Sequence, residues 1–154
     1  MKYLTFLISC LLLSNLAPAQ DKSATDIKAL LDDKRFEFAA ESASPLRGRT
    51  ISLSPGYTLD LSPDTVICNL PYYGRAYTAA INPSDAGIKF TSTDFTYTVK
   101  DRKKNGWDVT IKAKDGIRSH QIFLTISSNG SSSVRMVTSD RESISYNGNI
   151  KSSQ

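Results

Sequence analysis

The sequence predicts a single, mostly β domain: an antiparallel β-sandwich or flattened barrel of about 8–10 strands with one short N-terminal helix. Apolar and polar residues alternate along most of the chain after residue 35, and turn residues interrupt this alternation about every ten residues. Only residues 23–33 show the three- and four-residue spacing of a helix. The chain has 154 residues, the usual size of one domain, and is 40% hydrophobic and 22% charged, which is typical of a globular protein.

The predicted helix over residues 23–33 has one apolar face, formed by Ala24, Ile27, Leu30 and Leu31. Ser23 or Thr25 is placed to cap its first turn, since a side-chain oxygen there can accept from a free backbone N–H. A short leading helix of this kind typically covers a sheet.

Four apolar sets alternate with polar residues in the first half of the β region. They are Phe36/Phe38, Ile51/Leu53, Tyr57/Leu59/Leu61 and Val66/Cys68/Leu70. Turn sequences at 54–56 and 62–64 separate the later sets. Because Cys68 shares a face with Val66 and Leu70, we expect its thiol to be buried.

The alternation is clearer in the second half. The inward sets are Phe95/Tyr97/Val99, Trp107/Val109/Ile111, Ile122/Leu124/Ile126, Val134/Met136 and Ile144/Tyr146. Asp115-Gly116 and Asn129-Gly130 are hairpin turn signals. Outward positions are mostly Ser, Thr, Asp and Lys, which is not the pattern of a lipid-facing barrel.

The N-terminus has the three parts of a secretory signal peptide: Lys2, an apolar run at 4–13 and an A-x-A ending at Ala19. We therefore expect residues 1–19 to be a signal peptide, 20–150 a single β domain and 151–154 a frayed tail. The protein would be exported, periplasmic or associated with the cell surface. Residues 7–10 also resemble a lipobox, but apolar residues continue after Cys10, so we expect no lipid anchor there.

The net charge, the length of the apolar run and the number of cysteines bear on nucleic-acid binding, membrane insertion and disulfide formation. The formal net charge of +4 is mild and the two signs are interspersed, so no nucleic-acid footprint is present. The apolar run at 4–13 is too short to span a bilayer, and we expect no transmembrane segment after signal cleavage. The mature chain keeps only Cys68, which excludes an internal disulfide.

Four segments resemble DUF4251, a family of exported Bacteroidetes proteins of unknown function: PLRGR at 45–49, LPYYGRAY at 70–77, GIKF at 87–90 and ISYNG at 144–148. Their order and spacing fit the family over nearly the whole mature chain. The resemblance implies a periplasmic or surface-associated protein of a Gram-negative gut or oral bacterium. It carries over no catalytic residues.

The sequence offers little for catalysis. Hydrolytic triads and most zinc sites use histidine, and the chain has only His120, on the same strand face as Ile122 and Leu124. Cys68 has no adjacent basic residue that would make a reactive thiolate. No phosphate loop or zinc-binding motif is present, so we predict no catalytic residue, metal or cofactor. A carboxylate pair acting on glycans stays open, because the fold sets its separation.

One constellation of arginines and tyrosines suits a ligand: Arg47, Arg49, Tyr72, Tyr73, Arg75 and Tyr77. Tyrosine offers a flat apolar ring with a polar tip, and arginine offers a planar fork for carboxylate, phosphate or sugar groups. The segment 72–77 is too rich in glycine and aromatic residues for an ordinary strand. It forms either a ligand-binding rim or a structural corner in which hydroxyls bond to the backbone and arginine stacks on the rings.

The function predicted from the sequence is therefore a non-catalytic cell-envelope module that binds a small anionic or glycan-like ligand through these six residues. Two alternatives stay open. One is a structural or assembly partner of an envelope protein, which predicts an exposed apolar patch or a free sheet edge. The other is a carboxylate-dependent enzyme acting on glycans.

Overall fold

The computed structural model describes residues 24–77, 87–116 and 118–153. Helix α1 (Ala24–Asp32) comes first. The strands that follow are β1 (Phe36–Pro45), β2 (Ile51–Ser52), β3 (Thr58–Leu61), β4 (Val66–Leu70), β5 (Ile88–Ser92), β6 (Asp94–Asp101), β7 (Gly106–Asp115), β8 (Arg118–Ser127), β9 (Ser131–Thr138) and β10 (Arg141–Ser152).

All ten strands belong to one antiparallel sheet, in the order β5-β4-β3-β1-β10-β9-β8-β7-β6, with β2 paired to β1. The two edge strands, β5 and β6, are consecutive in the chain, and β5 also contacts β7 on the far side of the sheet. The sheet therefore curls into a nearly closed barrel. The predicted mostly β, antiparallel fold is confirmed, and of the two architectures it is the barrel.

The inward side chains of both halves form one apolar core. The alternation seen in the sequence decides which residues these are, since successive strand residues point to opposite faces. Phe36, Phe38 and Tyr146 are its largest fully buried members, and Cys68 is 2% exposed, as expected. Each fully buried large apolar side chain contributes about 1.5–3 kcal/mol by leaving water.

Helix α1 packs against this core through Ile27 and Leu31, both fully buried. It covers Ala24–Asp32 of the predicted range 23–33, whose first residue lies outside the described residues. The Tyr97 hydroxyl donates to the carbonyl oxygen of Leu31 at 2.9 Å and fastens the end of the helix to β6. Burial raises the pKa of this hydroxyl, which stays protonated as a donor.

Two features differ from the sequence prediction or go beyond it. Strand β5 was not predicted from the sequence, although Ile88 and Phe90 alternate there with Lys89 and Thr91. Strand β10 continues through Ser152, which pairs with Phe36, two residues past the domain end that we expected. The predicted signal peptide, residues 1–19, lies outside the described residues. Within the described ranges, no helix is long and apolar enough to cross a bilayer.

A β-bulge brings β1 unusually close to β10. The register between the two strands shifts between Ala40 and Ser42, and Gly148 lies opposite Ala40. A Cβ atom on Gly148 would collide with the backbone carbonyl oxygen of Ala39 and would lie 3.1 Å from the Cα atom of Ala40. Only glycine permits this approach.

We predict that Gly148→Ala lowers the free energy of unfolding by about 1–3 kcal/mol, because two central strands must separate to admit the methyl group. Urea denaturation of the purified protein measures this. Asn147→Ala is the matched control, since that neighbouring side chain is exposed. Equal stability of Gly148→Ala and the control would contradict the close approach.

Candidate functional site

Residues 71–77 leave the sheet after β4 and form a corner against the β9–β10 turn. Ala76 makes an isolated antiparallel bridge with Arg141. The Tyr77 amide donates to the carbonyl oxygen of Asp140 at 2.8 Å, and the Glu142 amide donates to that of Arg75 at 3.0 Å. Backbone hydrogen bonds therefore hold the corner in place, as the sequence interpretation of a non-strand segment required.

Tyr72 folds back under the corner. Its hydroxyl shares one hydrogen between the carbonyl oxygens of Arg75 at 2.8 Å and Glu142 at 3.1 Å. A Cβ atom on Gly74 would lie 2.6 Å from this hydroxyl oxygen, so the tyrosine packs directly over the glycine. Burial raises the pKa of Tyr72. This residue has the structural role that one of our two sequence interpretations described.

Tyr146 anchors the corner from inside the barrel. Its ring is fully buried, and its hydroxyl donates to the carbonyl oxygen of Pro71 at 2.6 Å. Burial raises the pKa of this hydroxyl as well, and keeps it protonated.

The arginine that stacks on a tyrosine of the corner is Arg141, which the sequence analysis did not select. Its guanidinium carbon lies 4.9 Å from the centre of the Tyr72 ring. Its Nε and Nη2 donate to the Asp140 carboxylate at 3.2 and 2.9 Å, and its Nη1 donates to the carbonyl oxygen of Gly87 at 3.0 Å. The hydrogen bond from Arg141 lowers the pKa of Asp140.

Three of the predicted site residues are exposed at the surface of the corner: Tyr73, Arg75 and Tyr77. We call them the rim. Tyr73 is 38% and Tyr77 67% exposed. Within the described residues, no hydrogen bond or ion pair engages any of these three side chains. They are free to contact a ligand, while their backbone is fixed.

Arg47 and Arg49 lie in the exposed turn between β1 and β2. Strand β1 ends at Pro45 opposite Ile144, two residues after the Glu142 that bonds to the corner. The turn and the corner are therefore at the same end of the β1–β10 pair. No hydrogen bond or ring contact joins these two arginines to the rim within the part of the chain that the structure describes.

A small polar cavity lies beside the corner. We call it the corner cavity, and its lining residues are Gly87, Ile88, Lys89, Arg118, His120, Thr138, Asp140 and Arg141. Its volume of about 10 Å³ is room for the centre of roughly one water molecule. It opens beside the segment that Arg141 fastens to the β9–β10 turn.

His120 lines this cavity and is only 4% exposed. Its ring stacks on Phe90, with centroids 4.0 Å apart and planes 5° apart. Neither ring nitrogen has a hydrogen-bond partner among the described residues. Burial lowers the pKa of His120, so the ring is neutral at pH 7, with one N–H donor and one acceptor nitrogen. The Thr138 hydroxyl faces Asp140 and helps lower its pKa, although the contact falls short of hydrogen-bond geometry.

Positive charge dominates the cavity. Lys89, Arg118 and Arg141 line it against the single carboxylate of Asp140. Arg141 is committed to Asp140 and Gly87. Arg118 makes a second, longer ion pair with Asp140, in which its Nε lies 3.9 Å from the carboxylate, and its side chain is 44% exposed. Lys89 is exposed and has no ion pair within the described ranges.

The sequence analysis missed Arg118, Asp140 and Arg141. They stand in turns and strand ends where charged residues are ordinary, and the fold brings them to segments far away in the chain. His120 was identified as an inward residue by its alternation with Ile122. Its stacking on Phe90 depends on β5, a strand that was not predicted from the sequence.

Cys68 has the buried thiol that the sequence predicts. Its thiol is buried and donates to the carbonyl oxygen of Ile88, with 3.4 Å between sulfur and oxygen. Burial raises its pKa, which makes the thiolate inaccessible at neutral pH. Residues 24–77, 87–116 and 118–153 contain no group of three or more His, Cys, Asp or Glu side chains that could hold a metal ion.

A second polar surface lies outside the barrel, where Glu37 and Asp60 are cross-strand partners on β1 and β3. Burial, and to a smaller extent the charge of Glu37, raise the pKa of Asp60. Both carboxylates already have partners. The Lys151 Nζ lies 2.8 Å from the Glu37 Oε1, and the Thr58 hydroxyl donates to the Asp60 Oδ2 at 2.8 Å.

The fold and the corner define this protein as a small β-barrel-like domain with a polar, cation-rich corner. The family model of a domain of unknown function, DUF4251, matches residues 19–150, and the chain belongs to this family. It is also similar to the crystal structure of a DUF4251 family protein from Bacteroides eggerthii DSM 20697, with 13% identity and a TM-score of 0.63. That similarity covers 84% of this chain and 87% of the other, and shows the common fold. No curated protein matches the chain.

We predict that Tyr146→Phe lowers the free energy of unfolding by about 1–3 kcal/mol, because the buried carbonyl of Pro71 loses its donor. Thermal and urea denaturation measure the change. Tyr73→Phe removes an exposed hydroxyl of the same corner and should leave stability unchanged. If both variants behave alike, Tyr146 does not anchor the corner.

We predict that His120→Phe is at least as stable as the parent at pH 7.5, because it keeps the stacked ring and removes two unpartnered polar atoms. The parent should lose stability from pH 7.5 to 5.5, and the variant much less. The folded pKa of His120 lies below its unfolded value of 6.5, so protonation favours unfolding as the pH falls. His120 is the only histidine of the chain.

Urea denaturation at several pH values measures this, with Ser119→Ala as the control that keeps the imidazole. An unchanged pH dependence in His120→Phe would show that the imidazole is not held neutral by burial.

Proposed function

We propose that this protein is a non-catalytic cell-envelope module that binds a small anionic or glycan-like ligand at the rim. One observation carries the proposal: Tyr73, Arg75 and Tyr77 present unengaged side chains on a backbone fixed by hydrogen bonds to the β9–β10 turn. A binding site gains affinity when its backbone needs no ordering on contact. Tyrosine and arginine are the residue types that most often dominate binding energy.

The charges around the rim favour an anionic ligand. Arg75 lies on the rim, and Lys89 and Arg118 lie at the neighbouring cavity, where Arg118 is 3.9 Å from the Asp140 carboxylate and Lys89 has no ion pair within the described ranges. Exposed guanidinium groups bind carboxylates and phosphates through a planar fork, and tyrosine rings stack on sugar faces. An acidic saccharide offers both contacts. Arg47 and Arg49, in the turn at the same end of the β1–β10 pair, extend the predicted site.

The proposal includes export. The signal peptide pattern of residues 1–19 supports a periplasmic or cell-surface location, with cleavage after Ala19 and no lipid at Cys10. A module in that compartment would meet envelope and environmental glycans.

The alternative of an assembly partner draws support from isolated exposed apolar residues, Leu46 at 63% and Ile67 at 47%, and from the edge strands β5 and β6. The enzyme alternative draws support from the Glu37–Asp60 pair and the raised pKa of Asp60. Since Lys151 and Thr58 engage both carboxylates, we favour binding at the rim. Release of reducing sugars that Asp60→Asn abolishes would instead establish the enzyme.

We predict that the Tyr73→Ala/Arg75→Ala double variant binds acidic oligosaccharides at least tenfold more weakly than the parent, equivalent to about 1.4 kcal/mol. Its melting temperature should stay within about 2 °C, because exposed substitutions change stability little. The measurement is calorimetric titration of the processed protein with uronic-acid oligosaccharides that raise its melting temperature in a screen.

Phe123→Ala/Arg135→Ala is the matched control. These residues are cross-strand partners on the outer face of β8 and β9, an exposed aromatic beside an exposed arginine. Equal loss of affinity in both double variants, or a screen with no acidic saccharide that binds, would contradict the rim as the site.

A further inference from the structure

We infer that the corner cavity is a subsite for a single carboxylate group, with His120 as its buried hydrogen-bond partner and Arg118 and Lys89 as its charge partners. The inference deepens the proposed function and rests on it in one respect: the carboxylate belongs to the ligand that the rim binds. The cavity can nevertheless be tested with small anions that do not reach the rim.

The His120 imidazole is a buried polar group at the cavity. Both nitrogens of His120 are buried without a partner among the described residues, and its ring is only 4% exposed. Native proteins satisfy nearly all buried polar atoms, because a donor or acceptor removed from water without a partner costs free energy. The ring is held rigidly by Phe90, 4.0 Å away, and so cannot turn outward without losing this stack. A group that enters the cavity is therefore expected to bond to it.

The charge of the cavity lining favours an anion over a water molecule as the occupant of the cavity. The lining holds three cationic side chains and one carboxylate, and the Asp115 carboxylate outside the lining also acts on His120. Both carboxylate oxygens of Asp140 already accept a hydrogen bond from Arg141. Arg118, at 3.9 Å from Asp140, keeps donors free for another oxygen. A carboxylate would add an ion pair with Arg118 and Lys89, which a neutral water molecule cannot do.

The size of the corner cavity limits the group that can enter it. The cavity of about 10 Å³ admits one small group beyond its mouth. A carboxylate can place one oxygen inside, against the N–H of His120, and leave the other at the mouth for the Arg118 guanidinium. We therefore assign the subsite to a carboxylate.

The test uses the imidazole itself as the probe. Because the chain contains one histidine, its ring signals in ¹H–¹⁵N NMR spectra report on His120 alone. We expect sodium acetate and sodium glucuronate to shift these signals saturably at pH 7, where sodium chloride at equal ionic strength does not. An affinity in the millimolar range is expected for acetate, since so few atoms make contact.

Two variants make the result specific. Arg118→Gln should weaken acetate binding at least tenfold, whereas Arg135→Gln, the same charge change at an exposed position on β9, should leave it unchanged. Tyr73→Ala should leave the acetate response intact and weaken only the response to uronic-acid oligosaccharides. Failure of the rim and failure of the cavity are thereby separated.

Three results would overturn the inference. One is the absence of any shift with acetate or glucuronate beyond the chloride control. Another is an equal response in Arg118→Gln and Arg135→Gln, which would mean that the anions act through the general surface charge. The third is a saturable response to inorganic phosphate with none to acetate, which would reject the carboxylate assignment.

Discussion

The contacts of Arg141 are the interaction on which the corner depends. One guanidinium group binds the Asp140 carboxylate, donates to the carbonyl of Gly87 ahead of β5, and stacks on Tyr72 below the corner. The backbone of Arg141 also forms an isolated antiparallel β-bridge with Ala76. Since its side chain is only 10% exposed, these contacts are shielded from water and are stronger than a surface ion pair. They connect the β9–β10 turn to two segments far away in the chain, and so place the rim beside the cavity.

This arrangement divides the polar groups of the corner into two kinds. The hydroxyls of Tyr72 and Tyr146 donate hydrogen bonds to backbone carbonyl oxygens and stabilise the fold. The rim side chains make no hydrogen bond or ion pair within the described residues. His120 packs its ring on Phe90 but has a stability cost, because its nitrogens are buried without partners among the described residues. Binding sites commonly retain such groups at the expense of stability. That distinction supports our view that the corner does more than close one end of the barrel.

The sequence was sufficient to predict an antiparallel β fold, as a sandwich or a flattened barrel, but not its site. Alternation identified the inward residues, including Cys68 and Tyr146, because the polarity of a side chain is tied to the face it occupies. Turn chemistry located the hairpins at Asp115-Gly116 and Asn129-Gly130. The register that brings Arg141 to Tyr72 is set by strand pairing between distant segments, and neither residue has a local signal for it. The tyrosine-rich segment was recognised, but which arginine stacks on it could be decided only in three dimensions.

A crystal structure of the processed protein grown with glucuronate at pH 7 tests the central claim, that the corner is a ligand site, most directly. The account predicts electron density for the carboxylate in the corner cavity, with one oxygen about 2.7–3.2 Å from a ring nitrogen of His120 and the other within the same reach of Arg118. The sugar ring should lie toward Tyr73 and Tyr77. Density for a lone water molecule on His120, with no glucuronate at the corner, would contradict it.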